Sequence, residues 1–298
     1  MAPVKLAWDR LVRYVSATDD QIHYGEPILE PNEVENVAQL AAEGKLKVKV
    51  LEGTDPISVE RTDRVDTVKT LLGPIEPKNT PIFRCIGLNY KSHILEASRY
   101  LPPYPTTFTK PSHSAADHGE DIPIPAFAIK KLDYEGELAL VIGKDCKNVK
   151  EEDALDFVAG YTATNDVSAR DWQRDPELAG PVPQWTFGKS LDKFAPLGPV
   201  FVAAHVLGAA DTLSLKTYVN DELRQQGNTS DLCFGVRQII AFLSKGTTLQ
   251  KGTVIMTGTP GGVGLFMKPP NFIKHGDTVS VWVEKIGTLK NRYVVVDE

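Results

Sequence analysis

The sequence predicts an α+β fold that is mainly β, with a small N-terminal α/β module ahead of a larger strand-rich part. Three observations carry this. Short apolar runs bounded by Gly, Pro, Asn or Asp recur from residue 83 onward. One clear amphipathic helix interrupts them. Helical patterns do not alternate with strands as a TIM barrel or Rossmann fold requires. With 298 residues, 42% hydrophobic and 24% charged, the chain has ample material for a buried core.

Residues 1–73 read as the small module. Trp8 to Val15 reads as folded structure, with Arg10 to Val15 as a strand. Leu46, Val48 and Val50 alternate with Lys45, Lys47 and Lys49, the period of a half-buried strand. Asn32 to Ala42 reads as a short helix, and the spacing of Val65, Val68, Leu71 and Leu72 marks another. The proline-rich stretch Pro74 to Pro81 is a linker or domain edge, so residues 74–298 form the second, larger domain. Its strands are expected at Phe83–Ile86, Glu135–Ile142, Val158–Asn165, Pro199–Ala203, Leu213–Val219, Thr253–Thr257 and Thr278–Val283. Val236, Ile239, Ile240 and Leu243 recur at helical spacing, with Asp231 near the start and Gly246 where a stop belongs. Leu101 to Pro125 holds too many prolines for a regular element, and Thr257 to Gly264 reads TGTPGGVG.

Composition excludes several functions. A net charge of −6 gives no footprint for a phosphate backbone, and the longest apolar runs, such as Leu138 to Ile142, are too short to span a bilayer. Neither a nucleic-acid nor a membrane partner is expected. Cys85, Cys146 and Cys233 lie far apart, with no zinc-type spacing, which suits a reducing compartment. No signal-peptide pattern opens the chain, so the cytoplasm is expected, with a mitochondrial location as the alternative.

The strongest chemical signal is Asp133-Tyr134-Glu135-Gly136-Glu137 leading into an apolar strand. Side chains two apart on a strand share a face, so Glu135 and Glu137 project together. Two such carboxylates call for a proton or a cation between them, although a solvated strand end has the same pattern. Asp166, at the end of a second buried-looking strand, adds a third acid. Three carboxylates without Cys or paired His suit Mg²⁺ or Mn²⁺ before Zn²⁺. His93 and Glu96 sit at i and i+3 of a helical turn, where a carboxylate can orient an imidazole base; the same pair also occurs on solvated helices. Lys189, in Phe187-Gly188-Lys189-Ser190, can neutralise a substrate carboxylate or simply face solvent. The glycine-rich loop lacks a P-loop ending. Its amides can approach an anion, or it can be a plain turn.

Together the segments GLNYKSHILE (87–96), DYEGELALVIGK (133–144), AGYTATNDVSARDWQ (159–173), FGKSLDKFAPLGP (187–199) and IMTGTPGGVG (255–264) resemble the fumarylacetoacetate hydrolase family, from about Pro81 to the C-terminus. Residues 268–277 and the extra N-terminal module are most similar to its domain-containing protein 2 branch. The resemblance implies a mixed β-strand roll and a homodimer. It implies Glu135, Glu137 and Asp166 as Mg²⁺ ligands (Mn²⁺ or Ca²⁺ as substitutes) and His93–Glu96 as a catalytic dyad on a segment that orders over substrate. It also implies Lys189 as a catalytic lysine, with Lys110, Gln173 and Thr259 around the substrate. Leu88 stands where acylpyruvase-like relatives often carry arginine. The expected activity is that of an enzyme on a small dicarboxylic or 2-oxo acid, first oxaloacetate keto–enol tautomerisation. Acylpyruvate C–C hydrolysis and oxaloacetate decarboxylation are the alternatives, followed by isomerisation of a 2-hydroxy-dienoate. A metal-stabilised binding protein is the non-enzymatic one.

Overall fold

The computed structural model describes residues 2–296. Its mainly β architecture is that of the roll expected from the sequence. One large sheet runs in the order Ile22–Pro27, Lys47–Glu52, Glu60–Leu72, Arg10–Ser16, Ala195–Ala203, Val158–Asn165, Gly136–Ile142, Val254–Met256, Phe83–Gly87 and Thr106–Lys110. The short strand Ala115–Ala116 joins it beside Ala195–Ala203. A second sheet runs Glu222–Asn228, Ser214–Val219, Thr278–Val283, Gly287–Val296 and Ile122–Pro125. Strands of the first seventy residues continue the large sheet, because Arg10 and Leu11 pair with Val202 and Phe201.

The central strand Gly136–Ile142 is buried on both faces, which explains its unbroken apolar run. Leu138, Leu140 and Ile142 enter one hydrophobic cluster, while Ala139 and Val141 enter the other with Cys85, Phe108 and Met256. The strand pairs antiparallel to Val158–Asn165 with Gly136 opposite Asn165. Gly136 has no room for a side chain: a Cβ there would lie 2.0 Å from Thr217 Oγ1 on the second sheet. The helix Val236–Leu243 buries Val236, Ile239, Ile240 and Leu243, as their spacing predicts. Among the described residues no helix is long and apolar enough to cross a membrane.

Several expectations are corrected. Residues 65–72 are strand, part of Glu60–Leu72. Val15 pairs with Thr70 but Ser16 pairs with Val68, so a bulge at Lys69 turns Val68 and Leu71 inward although they are three apart. That spacing imitates a helix. The helix expected over 32–42 shortens to Val37–Ala42. The proline-rich segment 101–125 contains two strands. Pro105 and Pro111 flank Thr106–Lys110, while Pro123 and Pro125 lie on Ile122–Pro125, at the sheet edge where a missing N–H is tolerated. The first turn of the amphipathic helix, which starts at Val236, is tied by Gly235 N–H donating to Gln238 Oε1.

Candidate active site

Strand register assembles the acidic cluster. The pairing of Gly136 with Asn165 sets Glu135 opposite Asp166, and Asp166 N–H donates to the Glu135 carbonyl at 2.8 Å. Asn165 Oδ1 accepts from Glu135 N–H at 2.8 Å. Glu137 follows two residues on, on the same face. One carboxylate oxygen from each of Glu135, Glu137 and Asp166 lies within 4.8 Å of the other two, and all three residues are buried.

Cations surround two of these acids. Lys189 Nζ donates to Glu135 Oε2 at 2.8 Å, to Asp166 Oδ2 at 2.6 Å and to Ser168 Oγ at 2.6 Å. Lys110, fully buried, forms an ion pair with Asp166 Oδ1 at 2.6 Å. Arg170 pairs with Glu135 at 2.6 Å and donates to Asp133 Oδ2 at 2.8 Å and Gln173 Oε1 at 3.1 Å. Burial opposes ionisation of Glu135, yet Arg170 and Lys189 outweigh it and hold its pKa well below the usual carboxylate range. Desolvation also opposes the Lys189 ammonium, but Asp166 and Glu135 prevail and raise its pKa. Lys110 shows the opposite balance. Desolvation wins over the single nearby acid and lowers it.

Glu137 differs from its neighbours. It has no ion-pair partner among the described residues, and its Oε2 accepts only the Gly258 N–H, at 2.6 Å. Burial, then Asp166 and Glu135, push its pKa well above the usual range. A buried acid beside two others, without a cation of its own, is the environment a divalent ion would complete. The all-oxygen donor set suits a hard cation.

The dyad segment folds as the helix Lys91–Glu96, entered through Asn89. The Asn89 side chain donates to the carbonyls of Thr257 (2.7 Å) and Phe234 (3.1 Å) and accepts from Phe234 N–H (3.0 Å). Ser92 N–H donates to Asp231 Oδ2 at 3.0 Å. His93 Nδ1 and Glu96 Oε1 are 2.7 Å apart, and Glu96 Oε2 accepts from Gly262 N–H at 2.8 Å. With Nδ1 donating to Glu96, Nε2 of the neutral ring is the free base. The glycine-rich loop does hold anions, and they are the protein's own carboxylates: Gly258 serves Glu137 and Gly262 serves Glu96.

A cavity of about 170 Å³ opens among these groups. His93, Glu135, Glu137, Gln173, Lys189 and Thr259 line it, with Leu88, Phe108, Trp185 and Phe266 as apolar walls. Leu88 holds φ 53°, a strained value for a non-glycine residue at a ligand cavity. Thr259 Oγ donates to the Gly136 carbonyl at 2.9 Å and accepts from Gln225 Nε2 at 2.7 Å. Lys110 reaches Asp166 from the protein interior and does not line the cavity. Sequence reasoning missed Arg170, Asp133 and Ser168. Arg170 lies four residues after Asp166, and its role appears only once Asp133, itself accepting from the N–H groups of Gly264 and Leu265, is seen beside it.

The chain is similar to known proteins over most of its length. The family description "Fumarylacetoacetate (FAA) hydrolase C-terminal" matches residues 83–294. The mitochondrial oxaloacetate tautomerase fahd2 of Xenopus laevis is 43% identical over 225 residues, spanning 76% of this chain and 68% of that protein. Caffeoylpyruvate hydrolase of Neonothopanus nambi is 36% identical over 300 residues, spanning 98% of this chain and 95% of that one. The crystal structure of 2-hydroxyhepta-2,4-diene-1,7-dioate isomerase from Mycobacterium marinum superposes with a TM-score of 0.76 at 33% identity, covering 96% of this chain and 98% of that one.

Proposed function

The chain belongs to the fumarylacetoacetate hydrolase family, and on that premise we propose that it is an oxaloacetate keto–enol tautomerase, with Mg²⁺ held by Glu135, Glu137 and Asp166. The observation that carries the reading is one small cavity lined at once by the triad's glutamates and by a histidine whose Nδ1 is engaged by a carboxylate. At about 170 Å³ it falls below the ~300–1,000 Å³ of drug-sized pockets and suits a short acid.

Mg²⁺ bound there would supply Lewis acidity toward a chelating 2-oxo acid, lowering the cost of enolate character. The chain's own groups do the rest. His93, through Nε2, moves the proton at C3, and Glu96 keeps the ring in the tautomer that can accept it. Lys189 and Arg170 hold Glu135 ionised and oriented, so that it can serve as a ligand instead of taking up a proton. Gln173 and Thr259 shape the wall against which the substrate lies, and Lys110 fixes Asp166 from behind.

A second reading is acylpyruvate C–C hydrolysis. It is favoured by the aromatic wall of Phe108, Trp185 and Phe266 and by the full-length match to the caffeoylpyruvate hydrolase. The two separate in one experiment: decay of enol-oxaloacetate absorbance against cleavage of an acylpyruvate, each with and without Mg²⁺. Mg²⁺-dependent acceleration of enol decay without cleavage supports the tautomerase; cleavage without enol acceleration supports the hydrolase. We also read the protein as a homodimer, which the family resemblance supports. Sedimentation as a 32.7 kDa monomer at micromolar concentration would overturn that part.

A further inference from the structure

The cavity carries more positive charge than its chemistry at the acids requires. Four cations, Arg99, Arg170, Arg174 and Lys189, line it against two carboxylates, Glu135 and Glu137, in a chain whose net charge is −6. Lys189 and Arg170 are occupied by Glu135, Asp166 and Asp133. Arg99 and Arg174 are different. Among the described residues neither guanidinium has a hydrogen-bond or ion-pair partner.

The two come from different segments. Arg174 ends the helix Arg170–Arg174, one turn after Arg170, so both lie on one helix face, toward the cavity. Its neighbour Asp175 is turned to Lys131, 3.6 Å away. Arg99 follows the dyad helix, anchored by its N–H donating to the Ile94 carbonyl at 3.0 Å. Both side chains are exposed, at the mouth of a cavity whose inner acids would take a chelating head, so a second anion on the bound molecule would meet them there.

We propose that Arg99 and Arg174 bind the distal carboxylate of the substrate and so select dicarboxylic 2-oxo acids over those with neutral tails. This rests on the tautomerase reading for the substrate's identity, and the test is chosen to stand apart from turnover. Malate and 2-hydroxybutanoate share a chelating 2-hydroxy-acid head; one ends in a carboxylate, the other in a methyl group. Calorimetric titration of the Mg²⁺-loaded protein should give a preference for malate of about tenfold, the low end of what a hydrogen bond to a charged group contributes. The Arg99→Gln/Arg174→Gln double variant should bring the two ligands to near parity, and Arg→Lys at both positions should restore part of the preference. Equal affinity of the parent for the two ligands, or a preference that survives the double substitution, overturns the proposal. A parent that prefers malate but leaves enol-oxaloacetate decay unaccelerated refutes the tautomerase reading and keeps the receptor.

Discussion

Glu96→Gln separates an orienting carboxylate from a proton-carrying one. In the parent, Glu96 accepts twice: from His93 Nδ1 at 2.7 Å and from Gly262 N–H at 2.8 Å. An amide has one acceptor end. With its oxygen turned to His93, its NH₂ opposes the Gly262 N–H; with its oxygen turned to Gly262, its NH₂ donates to Nδ1 and drives the ring proton to Nε2, which removes the base. Losing a hydrogen bond to a charged group costs about 1.5–3 kcal/mol. At about 1.36 kcal/mol per decade, turnover should fall roughly 10- to 150-fold. The assay is enol-oxaloacetate decay at saturating Mg²⁺, with oxalate affinity measured in parallel. Oxalate binding should stay near the parental value, because Glu96 stands outside the acidic triad. His93→Ala should lose more, about 10²–10⁴-fold. The reasoning is refuted if Glu96→Gln stays within twofold of the parent. A loss as deep as that of His93→Ala would make Glu96 itself the proton carrier.

Glu137→Ala should abolish Mg²⁺ binding by calorimetry while the far-ultraviolet dichroism stays parental, since the carboxylate has no ion-pair partner among the described residues and one hydrogen bond, from Gly258 N–H. Gly136→Ala should destabilise strongly, by about 3 kcal/mol or more, because the new methyl would overlap Thr217 Oγ1 on the packed second sheet; a thermal melt within 2 °C of the parent would contradict the packing. His118 gives a pH effect away from the site: burial, then Lys290, lower its pKa from 6.5 to about 4. The unfolded chain therefore binds a proton between those values that the fold refuses, so this contribution is full above pH 6.5 and is lost as pH falls toward 4. His118→Gln should remove about 1–3 kcal/mol of that acid-side loss, read as a flatter plot of urea midpoint against pH.

The acids and the dyad were legible because they sit in local patterns: two carboxylates two apart on a strand, and His and Glu three apart on a helix. Elsewhere the information is carried by contacts distant in the chain. Gly287–Val296 alternates inward and outward, but its inward positions include Asn291, whose amide donates to the Asp117 and Glu120 carbonyls, and a buried polar residue breaks the apolar signal. The spacing of Val65, Val68, Leu71 and Leu72 imitates a helix because a bulge replaces a period of two by three, and only the partner strand reveals the bulge. Arg170 was invisible for the same reason. Nothing in its own sequence neighbourhood shows that Asp133 and Glu135 converge on it.

The loop from Thr257 to Gly264 places unusual limits on how this site can change by descent. Its donors to Glu137 and Glu96 are main-chain N–H groups, which every residue but proline carries, so an ordinary substitution cannot delete them. It can only move them. At Gly262, where φ is 102° and a Cβ would come within 2.2 Å of the Arg224 carbonyl, almost any replacement does move them. Variation in substrate preference is therefore free to accumulate in the cavity's side-chain walls, such as Leu88 and Trp185, while the main-chain donors to Glu137 and Glu96 stay in place. Lineages built on this frame would diverge in what they accept and agree in how they hold it.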